Sequence, residues 1–173
     1  MPEKRATPTI AEFASNYLDA DKLDHFLDFV SFVKKNQLGL RKGAAYSWGV
    51  FYKGVFICNL DLYGPKRYKP DGNWDIRPKN LFFDEYDRHV TDAEEREFIL
   101  NAINFIKCRG CDGSGCMGRD NLTIFGKNFK NVCNGFPLLI ISPEGEALEN
   151  AKKLVLATKD IIEAARRCER RGE

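Results

Sequence analysis

Four cysteines in the second half of the chain have the types and the spacing of metal ligands. Cys108, Cys111, Cys116 and Cys133 form the pattern C-x2-C-x4-C-x16-C. Four thiolates so close in sequence suit one tetrahedral zinc ion. The glycines between the first three let the backbone turn tightly, so its N–H groups can point at the sulfurs. We predict a zinc site in a metal-binding loop over residues 108–133. The alternatives are an iron–sulfur cluster and four reduced, unligated thiols.

The number of thiolates bears on whether this metal would be structural or catalytic. A catalytic zinc ion keeps an open position beside three protein ligands, and four cysteines would close it. We therefore predict a structural ion and a non-enzymatic protein. The alternative is a redox enzyme, in which one of the cysteines is a low-pKa nucleophile or an iron–sulfur cluster moves electrons. His89 is the histidine nearer to the cysteines in sequence. Distance along the sequence does not exclude contact between them in the folded chain.

Residues 108–115 carry a short resemblance to a known zinc-binding unit. Their sequence, Cys-Arg-Gly-Cys-Asp-Gly-Ser-Gly, resembles the C-x-x-C-x-G-x-G unit of the J-domain co-chaperones, in which copies of the unit pair to make zinc sites. This chain has one copy and lacks the His-Pro-Asp motif of the J domain. The resemblance implies zinc-knuckle geometry, completed here by Cys116 and Cys133, and not a chaperone function.

Composition narrows the remaining classes of function. The chain has 173 residues, enough for one domain over 1–173, and its 43% hydrophobic content is that of a folded protein. With 27 basic and 25 acidic residues, its charge balance gives no argument for a nucleic-acid partner. No apolar run approaches a membrane span, and the N-terminus lacks the apolar region of a signal peptide. We expect a cytoplasmic protein, in which thiols stay reduced.

The clearest element signal is a β-hairpin over residues 44–63. Lys53-Gly54 predicts a two-residue turn with Tyr52 facing Val55. Carried along both strands, that register places Trp48 opposite Asn59 and Tyr46 opposite Asp61. Cys58 would lie on the other face, as a small core residue against a docked helix.

This register predicts a ligand pocket on one face of the hairpin. Aromatic rings attract a cation, and a carboxylate supplies the countercharge. The predicted ligand is a small cationic molecule, and the predicted lining residues are Tyr46, Trp48, Asn59, Asp61 and Trp74. The alternative is that this face forms a second core layer or an amphipathic outer surface.

The remaining elements predict an α+β fold. Helical periodicity and capping signals predict helices near residues 9–18, 21–36, 91–107 and 142–171, with strands at 74–77, 122–125 and 138–142. We expect one antiparallel sheet with helices packed on a face and an inserted four-cysteine metal loop. The hairpin-plus-helix plan resembles the bacterial GyrI-like small-molecule-binding domains. It is also similar to small proteins of anaerobic bacteria with a cysteine loop before a C-terminal helix. The GyrI-like resemblance implies that an acidic residue among aromatics, here Asp61, captures a flat cationic ligand.

Overall fold

A computed structural model of the chain describes residues 9–43, 46–62, 73–79, 83–104 and 119–171. The predicted α+β class is confirmed, because the described residues form helices and antiparallel strands. The helices are α1 (Ile10–Ala14), α2 (Ala20–Lys35), α3 (Phe83–His89), α4 (Ala93–Asn101) and α5 (Gly145–Arg171). Residues 108–118 of the predicted metal-binding loop lie outside the described residues, and residues 119–133 form strands and a turn.

Five strands form the main sheet, and all neighbours in it run antiparallel. In spatial order they are β1 (Gly39–Lys42), β2 (Ser47–Tyr52), β3 (Val55–Leu62), β4 (Trp74–Pro78) and β7 (Ile140–Ile141). β4 ends at Pro78, one residue beyond the predicted strand, and this proline lacks the N–H that would continue the ladder. The strand expected over residues 138–142 is reduced to two residues.

Two further strands, β5 (Arg119–Ile124) and β6 (Lys127–Cys133), form a separate antiparallel hairpin. Isolated two-stranded hairpins are marginally stable in water, so this one depends on docking. Ile124 and Val132 are buried in the core, and the backbone N–H of Phe125 donates to the Asp87 carboxylate of α3 at 2.8 Å. These contacts fix the hairpin against α3.

One face of the five-stranded sheet carries the helices. Trp48 packs edge-on against Phe13 of α1, with ring centroids 5.0 Å apart. Trp74 meets Phe26 of α2 in the same way at 5.3 Å, and the Tyr52 hydroxyl donates to the Glu163 carboxylate of α5. Trp48, Tyr52 and Trp74 share a face by strand alternation, so α1, α2 and α5 cover the same side.

Local capping decides where the N-terminal helices begin. Thr9 and Glu12 form the predicted capping box, with the Thr9 N–H donating to the Glu12 carboxylate at 2.8 Å. α1 nevertheless ends at Ala14 rather than near residue 18. The N-cap of α2 is Asp19, whose carboxylate accepts from the Lys22 N–H, so α2 begins at Ala20 rather than at residue 21.

Candidate functional site

Cys133 is the one predicted metal ligand among the described residues, because Cys108, Cys111 and Cys116 fall in the undescribed segment 105–118. It is the last residue of β6, half-buried, and its cross-strand partner is Arg119 at the start of β5. Its backbone N–H donates to the carbonyl of Asn104 at 3.1 Å. Cys133 therefore lies beside both ends of the segment that carries the other three cysteines.

Asn104 links the end of α4 to the residues that follow β6. Its backbone N–H donates to the Pro137 carbonyl at 2.7 Å, and its side-chain amide donates to the Phe136 carbonyl at 3.0 Å. One step further, the N–H of Leu139 donates to the Ala102 carbonyl at 2.8 Å. Residues 102–104, which precede the undescribed segment 105–118, therefore lie alongside residues 133–139, at and after the end of β6. In the described ranges taken alone, no group of three or more metal-ligating side chains comes together.

The predicted hairpin turn is correct, and the predicted register beyond it is wrong. Lys53 and Gly54 take positive φ values of 47° and 84°, and Tyr52 faces Val55, as a two-residue turn requires. The register then shifts at a β-bulge, because Phe51 pairs with Phe56 and Val50 with Cys58. A bulge places one extra residue in one strand, so every later pair moves by one position.

The shift separates the aromatic rings from the acidic residue of the predicted pocket. Trp48 pairs with Leu60 instead of Asn59, and Asp61 pairs with Ser47 instead of Tyr46. Asn59 and Asp61 therefore face away from Trp48.

The aromatic residues of that prediction lie on the helix side, two of them in the core and Tyr46 packed against it. Trp74 is fully buried and Trp48 is 5% exposed, while the Tyr46 ring packs edge-on against Tyr17 at 5.4 Å. The prediction of a single pocket is therefore wrong for its five lining residues taken together, which are Tyr46, Trp48, Trp74, Asn59 and Asp61. The alternative reading of the aromatic residues, as a core layer, matches what these three side chains do.

The opposite face of the sheet carries a charged cluster that the sequence analysis missed. The Arg77 guanidinium spans the Asp75 carboxylate, with Nε 3.0 Å from Oδ1 and Nη2 3.0 Å from Oδ2. Its Nη1 lies 3.2 Å from Oδ2 of Asp61. The signal was present in the run Trp74-Asp75-Ile76-Arg77, whose alternation puts the two charged residues on one face. We call Asp61, Asp75 and Arg77 the carboxylate cluster.

Both carboxylates of this cluster are buried. Asp75 is 0% exposed and Asp61 is 4% exposed. Burial raises the pKa of Asp75 to about 7, and Arg77 opposes that shift. Oδ1 of Asp61 is buried without a hydrogen-bond partner among the described residues, and leaving such an acceptor unpaired costs roughly 1–3 kcal/mol or more.

Two cysteines outside the metal pattern have opposite environments. Cys58 is buried and Cys168 is exposed, as expected for a core strand and for the end of the last helix. Burial raises the pKa of the Cys58 thiol, and the Asp61 charge adds to the shift.

A thiol-reactive reagent should therefore discriminate between these two cysteines in the native protein. We expect fast labelling of Cys168 and negligible labelling of Cys58, because the reactive species is the exposed thiolate. Peptide mass mapping after a brief reaction measures both. Unfolding the protein in denaturant is the control and should make Cys58 react. Fast native labelling of Cys58 would contradict its placement in the sheet.

Comparison of the chain with protein-family models, with curated proteins and with solved structures finds no match. The resemblances noted from the sequence remain predictions. Within the described ranges, no helix has the length and apolar character needed to cross a membrane.

Proposed function

We propose that this chain is a non-enzymatic binding module in which one structural zinc ion is held by Cys108, Cys111, Cys116 and Cys133. The observation that carries the proposal is the position of Cys133 beside Asn104 and Arg119, the residues that flank the other three cysteines. Without that proximity, the spacing C-x2-C-x4-C-x16-C would be the only support for the zinc site.

The reach of the chain is sufficient for all four thiolates to meet. Cys108 follows Asn104 by four residues, and Cys116 precedes Arg119 by three. An extended chain spans at most about 3.3–3.6 Å per residue, and cross-strand Cα atoms lie about 4.5–5.5 Å apart. Cys108 and Cys116 are therefore tethered within roughly 10–20 Å of Cys133, and the short tethers favour one shared ion.

The donor set determines the chemistry of such an ion. Four thiolates satisfy tetrahedral zinc completely and leave no position for water or substrate. The ion would then tie the start of β5 and the end of β6 to the end of α4. The energy of binding the metal becomes folding energy for that part of the chain.

The direct test is the metal content and the absorption spectrum of freshly purified protein. We expect one zinc per chain in a colourless sample, since zinc has a filled d shell and no visible transitions. A brown sample with iron and sulfide would instead establish the redox alternative, with an iron–sulfur cluster on the same cysteines. Protein that stays free of metal after refolding with zinc in excess would overturn both.

A further inference from the structure

Strand β1 is an end strand of the five-stranded sheet, and one of its sides is open. β2 is its single strand partner among the described residues. Gly39, Arg41 and Lys42 are exposed, and Leu40 is half-buried against the core. The end strand of a sheet presents a row of unpaired backbone groups, which can take up a further strand. We call the open side of Gly39–Lys42 the β1 edge.

The hydrogen-bond pattern determines which backbone groups point out of the β1 edge. The N–H of Gly43 donates to the Ser47 carbonyl at 2.8 Å, so these two residues form a hydrogen-bonded pair. Such pairs alternate with non-hydrogen-bonded pairs along antiparallel strands. The backbone groups of Arg41 therefore point towards β2, whereas those of Leu40 and Lys42 point away from it. Leu40 and Lys42 thus offer two N–H donors and two carbonyl acceptors to a further strand.

The two basic side chains of the β1 edge have no acidic partner in the part of the chain that the structure describes. The Arg41 guanidinium lies 4.7 Å from the centroid of the Phe51 ring. The Lys42 ammonium lies 5.1 Å from the ring centroid of Phe13 and 6.0 Å from that of Trp48. Aromatic rings attract a cation without neutralising its charge. By strand alternation Lys42 lies on the helix side and Arg41 on the opposite face, so both faces of the edge are positive.

Other charges on the face of Arg41 do not offset it. The cross-strand row of Arg41 reaches Arg77 on β4, which is a further cation. Asp61 and Asp75 share this face, but they lie two and three strands away, roughly 10–15 Å at 4.7–4.9 Å per strand. Both carboxylates contact Arg77, and burial raises the pKa of Asp75 to about 7, so its charge is incomplete at neutral pH.

The charge of Lys42 on the helix side is likewise not offset. Helix α1 packs beside Lys42 through the Phe13 ring, and its one acid is Glu12. The Glu12 carboxylate already accepts from the N–H and the hydroxyl of Thr9, at 2.8 Å each. The row of Lys42 across the sheet continues through apolar residues, beginning with Trp48. The β1 edge therefore combines outward backbone groups with two cations.

We propose that the β1 edge binds an extended acidic peptide as a sixth, antiparallel strand. All neighbouring strands of the sheet run antiparallel, and the peptide continues that pattern. Its residues opposite Lys42 and Arg41 are acidic and its residue opposite Leu40 is aliphatic, because such cross-strand pairs stabilise a sheet. Gly39 leaves room for an aromatic side chain opposite it. From its N-terminus to its C-terminus, the peptide therefore has the order acid, acid, aliphatic, aromatic.

A second copy of this chain fits the β1 edge less well than an acidic peptide does. The register that uses every outward group pairs Leu40 of one copy with Lys42 of the other. Arg41 then lies directly opposite Arg41, and like charges in that position destabilise a sheet. The cations that repel a second copy attract an acidic strand. The site shares no residue with the proposed zinc site and goes beyond that function.

The test is a titration of the full-length, zinc-supplied, ¹⁵N-labelled protein at constant ionic strength. The probe is the capped peptide acetyl-Thr-Glu-Glu-Val-Tyr-Thr-amide, in which the two acids face Lys42 and Arg41 and the valine faces Leu40. We expect saturable shifts and slowed hydrogen exchange at the amides of Leu40 and Lys42, whose N–H groups gain acceptors. The amide of Arg41, which points towards β2, should change less. A peptide with two lysines in place of the acids should not bind.

N-methylated peptides test whether the backbone pairs as a strand. A methyl group on the valine nitrogen removes the donor to the Leu40 carbonyl and occupies the space between the strands. We expect this peptide to bind at least about tenfold more weakly. A methyl group on the nitrogen of the preceding acid is the matched control, because that N–H points away from β1. This second peptide should bind as the unmodified one does.

Charge variants of the protein test the two cations. Arg41→Gln and Lys42→Gln should each weaken binding by roughly two- to fivefold, which is the range of exposed ion pairs. Lys130→Gln, which changes an exposed lysine on β6, is the matched control and should bind as the native protein does. If a variant does not fold, the titrations of the native protein with the four peptides still decide.

Four results would overturn the proposal. The first is an absence of saturable shifts, and the second is a response centred on β5 and β6 instead of β1. The third is equal binding of the lysine peptide or of both N-methylated peptides, which would exclude charge selection or strand pairing. The fourth is a dimer of the peptide-free protein in sedimentation with the amides of Leu40 and Lys42 protected, because a second copy would then occupy the edge.

Discussion

Replacing Cys133 by serine is expected to abolish stoichiometric zinc binding and to open the β5–β6 hairpin. Loss of a residue that only supports a ligand typically lowers metal affinity roughly 10–100-fold, and loss of a thiolate ligand should exceed that. Apparent binding free energies of structural zinc ions are on the order of 10 kcal/mol. The hairpin belongs to a sheet of two strands, which has little stability of its own.

The measurement combines zinc content with hydrogen exchange. In Cys133→Ser, the amides of β5 and β6 should exchange much faster, while those of β2, β3 and β4 stay protected. A chelator added to the native protein should reproduce the same pattern. Cys168→Ser is the matched control, because Cys168 is exposed on α5, and it should keep one zinc. Native zinc affinity in Cys133→Ser would exclude Cys133 as a ligand.

Raising the pH through neutrality is expected to destabilise the fold through Asp75. Burial raises the pKa of this carboxyl from 3.8 to about 7, so the folded chain holds the proton more tightly than the unfolded chain. The stabilisation by protonated Asp75 is complete below about pH 4 and is lost as the pH rises to about 7. At about 1.4 kcal/mol per pKa unit, the full loss is on the order of 4 kcal/mol. Among the described residues, Arg77 and, across β3, Asp61 are charged groups that face Asp75, whereas the two residues of β7 are isoleucines.

The test compares denaturant unfolding of the native protein and Asp75→Asn at about pH 5 and about pH 8. The free energy of unfolding of the native protein should fall between these values by about 2–3 kcal/mol more than that of Asp75→Asn, which cannot titrate. Carboxyls with lowered pKa values, such as Asp19 and Glu163, act in the opposite sense at more acidic pH, and both variants share them. Asp160→Asn should behave as the native protein. Equal pH dependence in the native protein and Asp75→Asn would contradict the raised pKa.

The sequence was informative where a local signal dictates geometry. Lys53-Gly54 predicted its turn because a two-residue loop needs positive φ, which glycine adopts readily. Thr9 and Glu12 predicted the start of α1 by reciprocal hydrogen bonds. Helix α3 gave no clean periodicity and was not predicted. Strand β1 was missed because four residues, Gly39–Lys42, are too few to show alternation.

The register of the hairpin was not predictable from the sequence, and the ligand prediction depended on it. Residues 55–58 of β3 are all apolar, so a shift of one position exposes no polar side chain and leaves no trace in the pattern. The bulge lies between pairs of aromatic and aliphatic residues that fit either face. Its consequences appear only further along, where Asp61 turns away from Trp48. The carboxylate cluster depends on pairing between β3 and β4, which lie apart in sequence.

An isolated β-bridge pairs Ile103 with Leu138 and so brings together two points that are far apart in sequence. We call this bridge the neck. Residues 105–136 leave this neck and return to it, so the stretch is a side branch with adjoining ends. Each doubling of such a branch adds only about 0.6 kcal/mol of closure entropy. The described part of the branch must keep Ile124 and Val132 in the core and the Phe125 N–H on the Asp87 carboxylate, whereas its exposed positions are free to vary. Descendants of this sequence can therefore change the proposed metal ligands, or lengthen the branch, without redesigning the main sheet.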